Sequence, residues 1–321
     1  MQTVSAEIPD LKSLTAVLAP ILDWNGSRKG VIVEHRETNP FASTFPSELV
    51  TCRFGDGSKL RLLCKYGGNQ QEITHGHRGG VPYEAAVYRE VLRSSQTSAP
   101  GLYCNHTDSR TGKAWIVIEY LEGSKRVNEL PDSMPEAARW IGRFHAAGET
   151  LLATNRPQFL TEYDQEYFVG WARRTLRHNS DLHRRFSWLP KLCDHAEEIF
   201  APLLSAPLTI IHGEFYPHNI LVKGQTIYPV DWESAAISSG EIDLAALTDC
   251  WPQETTTECE IEYQRTRWPD GAPSDFHQRL QAARLYLPFR WLGDPPQWNT
   301  RGERIAFGEL LRAAGERLGI I

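Results

Sequence analysis

Residues 212–233 read His212-Gly213-Glu214-Phe215-Tyr216-Pro217-His218-Asn219-Ile220-Leu221-Val222-Lys223-Gly224-Gln225-Thr226-Ile227-Tyr228-Pro229-Val230-Asp231-Trp232-Glu233. The apolar run Leu208, Ile210, Ile211 ends at His212. Beyond it, Ile220-Leu221-Val222 and Ile227-Tyr228-Pro229-Val230 flank a glycine-containing turn, a hairpin signal. A three-residue loop, Gly224-Gln225-Thr226, would set Val222 against Tyr228 and Asn219 against Asp231. Directly opposed residues of an antiparallel pair have Cα atoms about 4.5–5.5 Å apart, so an amide oxygen and a carboxylate would meet at the open end. Two hard oxygen ligands suit Mg²⁺, which completes its shell with water and substrate phosphates. Glu214, five residues before Asn219, is placed to orient an attacking hydroxyl. A base, a metal amide and a metal carboxylate are what metal-assisted phosphoryl transfer requires.

With Asp243-Leu244-Ala245 added, the segment resembles the aminoglycoside phosphotransferase and choline kinase family, whose fold is like that of protein kinases. The family pattern is His-Gly-Asp, four residues, Asn, a short hairpin, Asp-Trp-Glu, then Asp-Leu-Ala, and all four elements fall in order here. The resemblance implies a two-lobed α+β fold: a small antiparallel-sheet, nucleotide-binding lobe over residues 1–118, a hinge at 119–123, and a mostly helical catalytic and acceptor-binding lobe over 124–321. It also implies ATP as phosphoryl donor, Mg²⁺ held by Asn219 and Asp231, and Asp243 bracing the catalytic loop from beneath.

One departure matters, because Glu214 stands where the family has aspartate. A misplacement of ~1 Å can cost on the order of 10²-fold in rate, yet a loose phosphoryl-transfer transition state depends mainly on positioning and charge. Two functions follow. One is an ATP-dependent small-molecule kinase that phosphorylates a hydroxyl of a metabolite, antibiotic or natural product. The other is a catalytically silent nucleotide- or metabolite-binding pseudokinase. A protein or RNA kinase is a weaker third, since protein kinases carry lysine at the position of Tyr216.

The 321 residues, 41% of them hydrophobic, suffice for one large or two ordinary domains. Lys and Arg number 34 against 40 Asp and Glu, a net charge of −6, which argues against nucleic acid or an anionic membrane as partner. The partner expected is a small-molecule hydroxyl acceptor. Six cysteines without C-x-x-C or zinc spacing indicate neither a disulfide framework nor a structural metal, and the expected location is cytoplasmic. The apolar stretch 16–22 contains Pro20 and runs into Asp23, too short to span a membrane and poor as a signal peptide.

Near the start, Leu11, Leu14, Val17, Leu18, Ile21 and Leu22 predict an amphipathic helix over 8–24 with Asp10 as N-cap. Strands are predicted at 30–35, 48–54 and 59–66, the last two joined by Gly55-Asp56-Gly57. In the loop 39–47, Ser43 and Thr44 either donate to nucleotide phosphates or belong to an ordinary polar loop. Lys65 closes the third strand, and Glu84 lies on a helix predicted over 82–94. Their order resembles the kinase lysine that grips the α and β phosphates and the glutamate that holds it. Glu90 competes but lies about 240° further round the helix, so only one of the two can face Lys65. Residues 115–123 form an apolar strand ending at Gly123. By the resemblance Glu119 and Leu121 offer main-chain groups to adenine; the alternative is a core strand and a turn.

The remainder reads as helical, with His145 a packed structural histidine in a helix over 135–147. Arginines 173, 174, 177, 184 and 185 alternate with aromatics, as on a nucleic-acid surface or on the wet face of helices; the acidic net charge favours the latter. In the resembled family, acidic groups of the later helices hold cationic acceptors, and Glu254, Glu258, Glu260 and Glu262 stand in such a helix. A solvated face is the preferred reading. His218 either meets the acceptor or packs against its loop.

Overall fold

The computed structural model describes residues 8–23, 30–42, 45–67, 74–93, 97–108 and 112–321. In chain order it has helix α1 (Leu11–Leu22), strands β1 (Ile32–Thr38), β2 (Ser47–Arg53) and β3 (Lys59–Gly67), then helix α2 (Val81–Val87), continued by a π turn (Tyr88–Leu92). Strands β4 (Leu102–Thr107), β5 (Ala114–Glu119) and β6 (Lys125–Arg126) follow, then α3 (Met134–Thr154), β7 (Thr161–Glu162), α4 (Gln165–His178), α5 (Leu189–Asp194) and α6 (Ala196–Leu204). The last part holds β8 (Leu208–Ile211), β9 (Ile220–Lys223), β10 (Thr226–Pro229), β11 (Ala236–Ser239), α7 (Glu241–Thr248), α8 (Gln253–Arg267), α9 (Phe276–Gly293) and α10 (Arg301–Arg317). This is the α+β, two-lobed arrangement expected.

The chain divides into two compact units. The first comprises Met1–Gln70, Gly79–Lys125 and Leu221–Glu233; the second comprises Gln71–Arg78, Arg126–Ile220 and Ser234–Ile321.

In the first unit a five-stranded antiparallel sheet runs β1-β2-β3-β5-β4. Asp10 caps α1 by accepting from the Ser13 amide at 2.7 Å, and Leu14, Leu18 and Leu22 of that helix enter one apolar core with Val50, Leu62, Tyr66 and Val117. Each such leucine contributes roughly 1.5–3 kcal/mol by leaving water. Side chains alternate along a strand. Because Leu62, Cys64 and Tyr66 of β3 join this core, Lys65 projects from the other face of the sheet.

The β9–β10 connection corrects one expectation. Thr226 already belongs to β10, so the loop is the two residues Gly224-Gln225, with Gly224 at φ 64°. A two-residue hairpin pairs Lys223 with Thr226, which sets the buried Val222 against the buried Ile227 rather than against Tyr228. Asn219 precedes β9 and Asp231 follows β10, so neither belongs to the paired strands. Asp231 takes a left-handed conformation, φ 70°.

In the second unit α3 packs on α8 and α4 on α9, and a small sheet runs β7-β11-β8. β8 pairs antiparallel with β11, Ile211 against Ala236, and delivers the chain directly into His212-Gly213-Glu214. Gly213 is required there: its φ is 81°, and a Cβ would lie 2.1 Å from the Ser234 carbonyl oxygen. Among the described residues no helix is long and apolar enough to cross a membrane. All six cysteines are free.

Candidate active site

The first unit gathers carboxylates around one lysine. Lys65 Nζ lies 2.8 Å from Glu84, 2.5 Å from Asp231 and 3.8 Å from Glu233. Glu84 is buried in the first turn of α2 and also accepts from the Trp232 amide at 3.3 Å. Burial opposes the ammonium charge of Lys65, but Asp231, Glu84 and Glu233 overcome that and hold its pKa well above the usual lysine range. Burial, with Asp231 adding repulsion, raises Glu84. One ammonium among three carboxylates leaves a formal excess of two negative charges. Glu90, the competing partner, is exposed and pairs with Arg89 at 2.6 Å.

The second unit presents the catalytic-loop motif. Asp243, at the start of α7, accepts from the amides of His212 at 2.6 Å and Gly213 at 2.9 Å. His145 Nε2 lies 3.1 Å from the same carboxylate, and its Nδ1 meets the Tyr263 hydroxyl at 2.9 Å. Asp243 thus fixes two consecutive loop amides, and His145 is packed, not exposed to ligand. Asn219 donates through Nδ2 to the Glu214 carbonyl at 3.1 Å, which leaves Oδ1 as its acceptor atom.

Glu214 is buried, and its Oε1 meets Arg78 at 2.6 Å, His77 Nε2 at 3.3 Å and Arg290 at 3.4 Å. Among the described residues nothing bonds its Oε2. Burial would raise its pKa, but Arg78, His77 and Arg290 hold it well below the ordinary carboxylate range. His77 itself is neutral: burial and Arg290 push its pKa down to about 3. Its Nδ1 meets the hydroxyls of Tyr163 at 3.0 Å and Tyr167 at 3.1 Å, rings that stack at 3.7 Å.

Sequence reasoning missed His77, Arg78 and Arg290. Arg290 follows Ala283, Tyr286 and Leu287 on the buried stripe of α9, and a cation on an apolar helical face is a legible sign that a partner waits inside. His77 and Arg78, in a short loop, carry no comparable signal.

The other predicted residues divide. Ser43 and Thr44 lie outside the described residues. The Glu119 amide donates to the Gly101 carbonyl at 2.8 Å, and the Leu121 carbonyl accepts from Ser124 at 3.2 Å, so neither of these two groups is open to a base. The acidic helix is no bare acidic surface, since Glu262 pairs with Arg139 at 2.6 Å and Arg265 at 2.5 Å, and Glu260 with Arg284 at 2.6 Å. Arg173 and Arg185 are exposed and paired with Glu166 and Glu309. Tyr216 is buried and stacks at 5.4 Å on the exposed His218.

For Mg²⁺ the donor chemistry fits. Lys65 bonds Oδ1 of Asp231, and among the described residues neither Asp231 Oδ2 nor Asn219 Oδ1 has a hydrogen-bond partner. Among the same residues no three His, Cys, Asp or Glu side chains form a metal cage.

A fold with a half-buried lysine on a buried glutamate and a braced His-Gly-Glu loop defines a protein-kinase-like phosphotransferase. The sequence pattern of the phosphotransferase enzyme family matches residues 74–277, well over half the chain, and the chain belongs to that family. Comparison with curated proteins finds no match. Among solved structures, choline kinase from Cryptosporidium parvum Iowa II is similar at TM-score 0.63 and 14% identity, covering 97% of this chain and 98% of that one. A choline/ethanolamine kinase family protein from Mesorhizobium loti follows at TM-score 0.59 and 15% identity, covering 96% and 95%. Amicoumacin kinase hAmiN, in complex with AMP-PNP, Ca²⁺ and Ami, gives TM-score 0.62 and 11% identity, covering 95% and 93%.

Proposed function

We propose that the protein is an ATP-dependent small-molecule kinase that transfers the γ-phosphoryl group to a hydroxyl of its acceptor. The observation that carries this reading is Lys65, half-buried and held 2.8 Å from Glu84 with Asp231 at 2.5 Å: a fixed cation for the phosphates beside a surplus of negative charge suited to a divalent ion. Lys65 binds the phosphates, and Asn219 and Asp231 would supply oxygens to a Mg²⁺ ion, whose charge would offset that of the phosphates. Glu214 orients the acceptor hydroxyl through Oε2. The acceptor oxygen forms the new P–O bond as the β–γ bridging bond to ADP breaks, and the hydroxyl proton passes to Glu214 and on to solvent. A low proton affinity at Glu214 is tolerable because a loose transition state asks little of the base.

The test is ADP release across a panel of hydroxylated compounds, with Asp231→Ala expected to abolish turnover and Glu214→Ala to spare nucleotide binding while removing transfer. Turnover that survives Asp231→Ala would refute the metal assignment. The second reading, a silent binder, is favoured by the Arg78–Glu214 pair, which occupies the carboxylate. Activity only in Glu214→Asp, with wild type silent, would select it.

A further inference from the structure

We propose that the acceptor carries an oxyanion, a carboxylate or phosphate, which the guanidinium groups of Arg78 and Arg290 bind beside Glu214, and that its arrival draws Arg78 away from Glu214. This deepens the kinase reading above and rests on it. Two guanidinium groups share one carboxylate oxygen, Glu214 Oε1. Asp294, the other acid at hand, lies 3.4 Å from Arg290, and burial works against its charge. His77, with its pKa near 3, adds none.

Arg290 is the clearer sign of a missing partner. It is fully buried, yet its bonds are long: 3.4 Å to Glu214, 3.4 Å to Asp294 and 3.2 Å to the Tyr216 hydroxyl. Its Nε has no hydrogen-bond partner among the described residues. A guanidinium has five donors in a rigid fork that matches carboxylate and phosphate, and burying it so poorly satisfied is costly. Aromatic rings frame the pair, Trp291 against Arg290 at 3.9 Å and Trp298 against Arg78 at 5.6 Å. Of the four acids of α8, Glu260 and Glu262 are already matched by arginines. Arg78 is the more accessible of the two: its side chain, 12% exposed where that of Arg290 is fully buried, grips Glu214 through Nη2. Once an oxyanion takes that guanidinium, Glu214 loses its strongest neighbouring cation and gains proton affinity when the hydroxyl is in place.

The test uses the full chain with Mg·ATP and alcohols on sugar, aliphatic and aromatic frames, each prepared as carboxylate, phosphate monoester, neutral amide and ammonium; 4-(hydroxymethyl)benzoate, its benzamide and its benzylamine form one such set. The expected result is a kcat/KM for the oxyanion members at least tenfold above the matched amides, with carboxylate and phosphate arms telling the two anions apart. Arg78→Gln should cut that preference at least tenfold, and Arg78→Lys should restore part of it. Preference for ammonium members, or a preference unmoved by Arg78→Gln, overturns the proposal and leaves the kinase reading standing. If nothing is phosphorylated although nucleotide binds, the kinase reading fails. Calorimetry with 4-(hydroxymethyl)benzoate at saturating Mg·AMP-PNP then decides the oxyanion site: binding lost in Arg78→Gln supports it, and no binding to wild type overturns it.

Discussion

Asp243→Asn tests the brace beneath the catalytic loop, because it changes one oxygen into an NH₂ group and little else. The wild-type carboxylate accepts from two loop amides, at 2.6 and 2.9 Å, and meets His145 at 3.1 Å, all buried. An asparagine can keep its oxygen toward the His212 amide and His145, but its NH₂ then faces the Gly213 amide, donor against donor. One buried N–H left without an acceptor costs about 1–3 kcal/mol, and bonds to a charged acceptor are worth roughly 1.5–3 kcal/mol each. Relief of the desolvation of a buried carboxylate returns part of that, so the net loss should be about 3 kcal/mol. The loop would also shift, and a displacement of ~1 Å corresponds to on the order of 10²-fold in rate. Urea unfolding followed by circular dichroism gives the first quantity and ADP release with Mg·ATP the second. A stability change under about 0.5 kcal/mol together with unchanged turnover would refute the brace.

Glu84→Gln should raise KM for ATP by at least about tenfold, roughly 1.4 kcal/mol, because Lys65 then leans on Asp231 and the more distant Glu233; Glu90→Gln, on the exposed face, should change nothing, and equal effects would reverse the choice of partner. His77 has a folded pKa of about 3 against about 6.5 unfolded, so the unfolded state binds more protons between those values. Stability is then full above about pH 6.5 and falls with pH by up to about 1.4 kcal/mol per unit. His77→Gln should flatten the melting profile between pH 7 and 5, and an unaltered slope would contradict a neutral buried imidazole. Gly213→Ala should cost more than about 3 kcal/mol, since the methyl would sit 2.1 Å from Ser234 O, whereas Gly57→Ala, at φ 83° with open space, should cost only about 1–2 kcal/mol; similar melting losses in both would mean that strain alone acts at Gly213.

The legible parts of this chain are those where spacing carries chemistry. Lys65 at a strand end, Glu84 in the first turn of the next helix and the His-Gly-Glu loop with its distant Asp243 could each be read because backbone periodicity dictates what faces what. The hairpin loop is one residue shorter than the apolar runs suggest, because Thr226 enters the strand through its backbone whatever its side chain. The arginines on Glu214 stayed hidden for another reason: Arg78 and Arg290 are 212 positions apart, and only tertiary packing unites them. The same holds for the tyrosines that meet His77.

The hairpin that ends in Asp231 and Glu233 belongs to the same compact unit as the first 70 residues, and Ser98 bonds the Ile227 carbonyl at 2.6 Å. During synthesis, therefore, the sheet that carries Lys65 leaves the ribosome about a hundred residues before the acids that neutralise it. A fragment cut after Lys125 would hold a half-buried ammonium with Glu84 as its sole counterion of the three, and the nascent chain must keep that half-built unit from aggregating until the hairpin arrives.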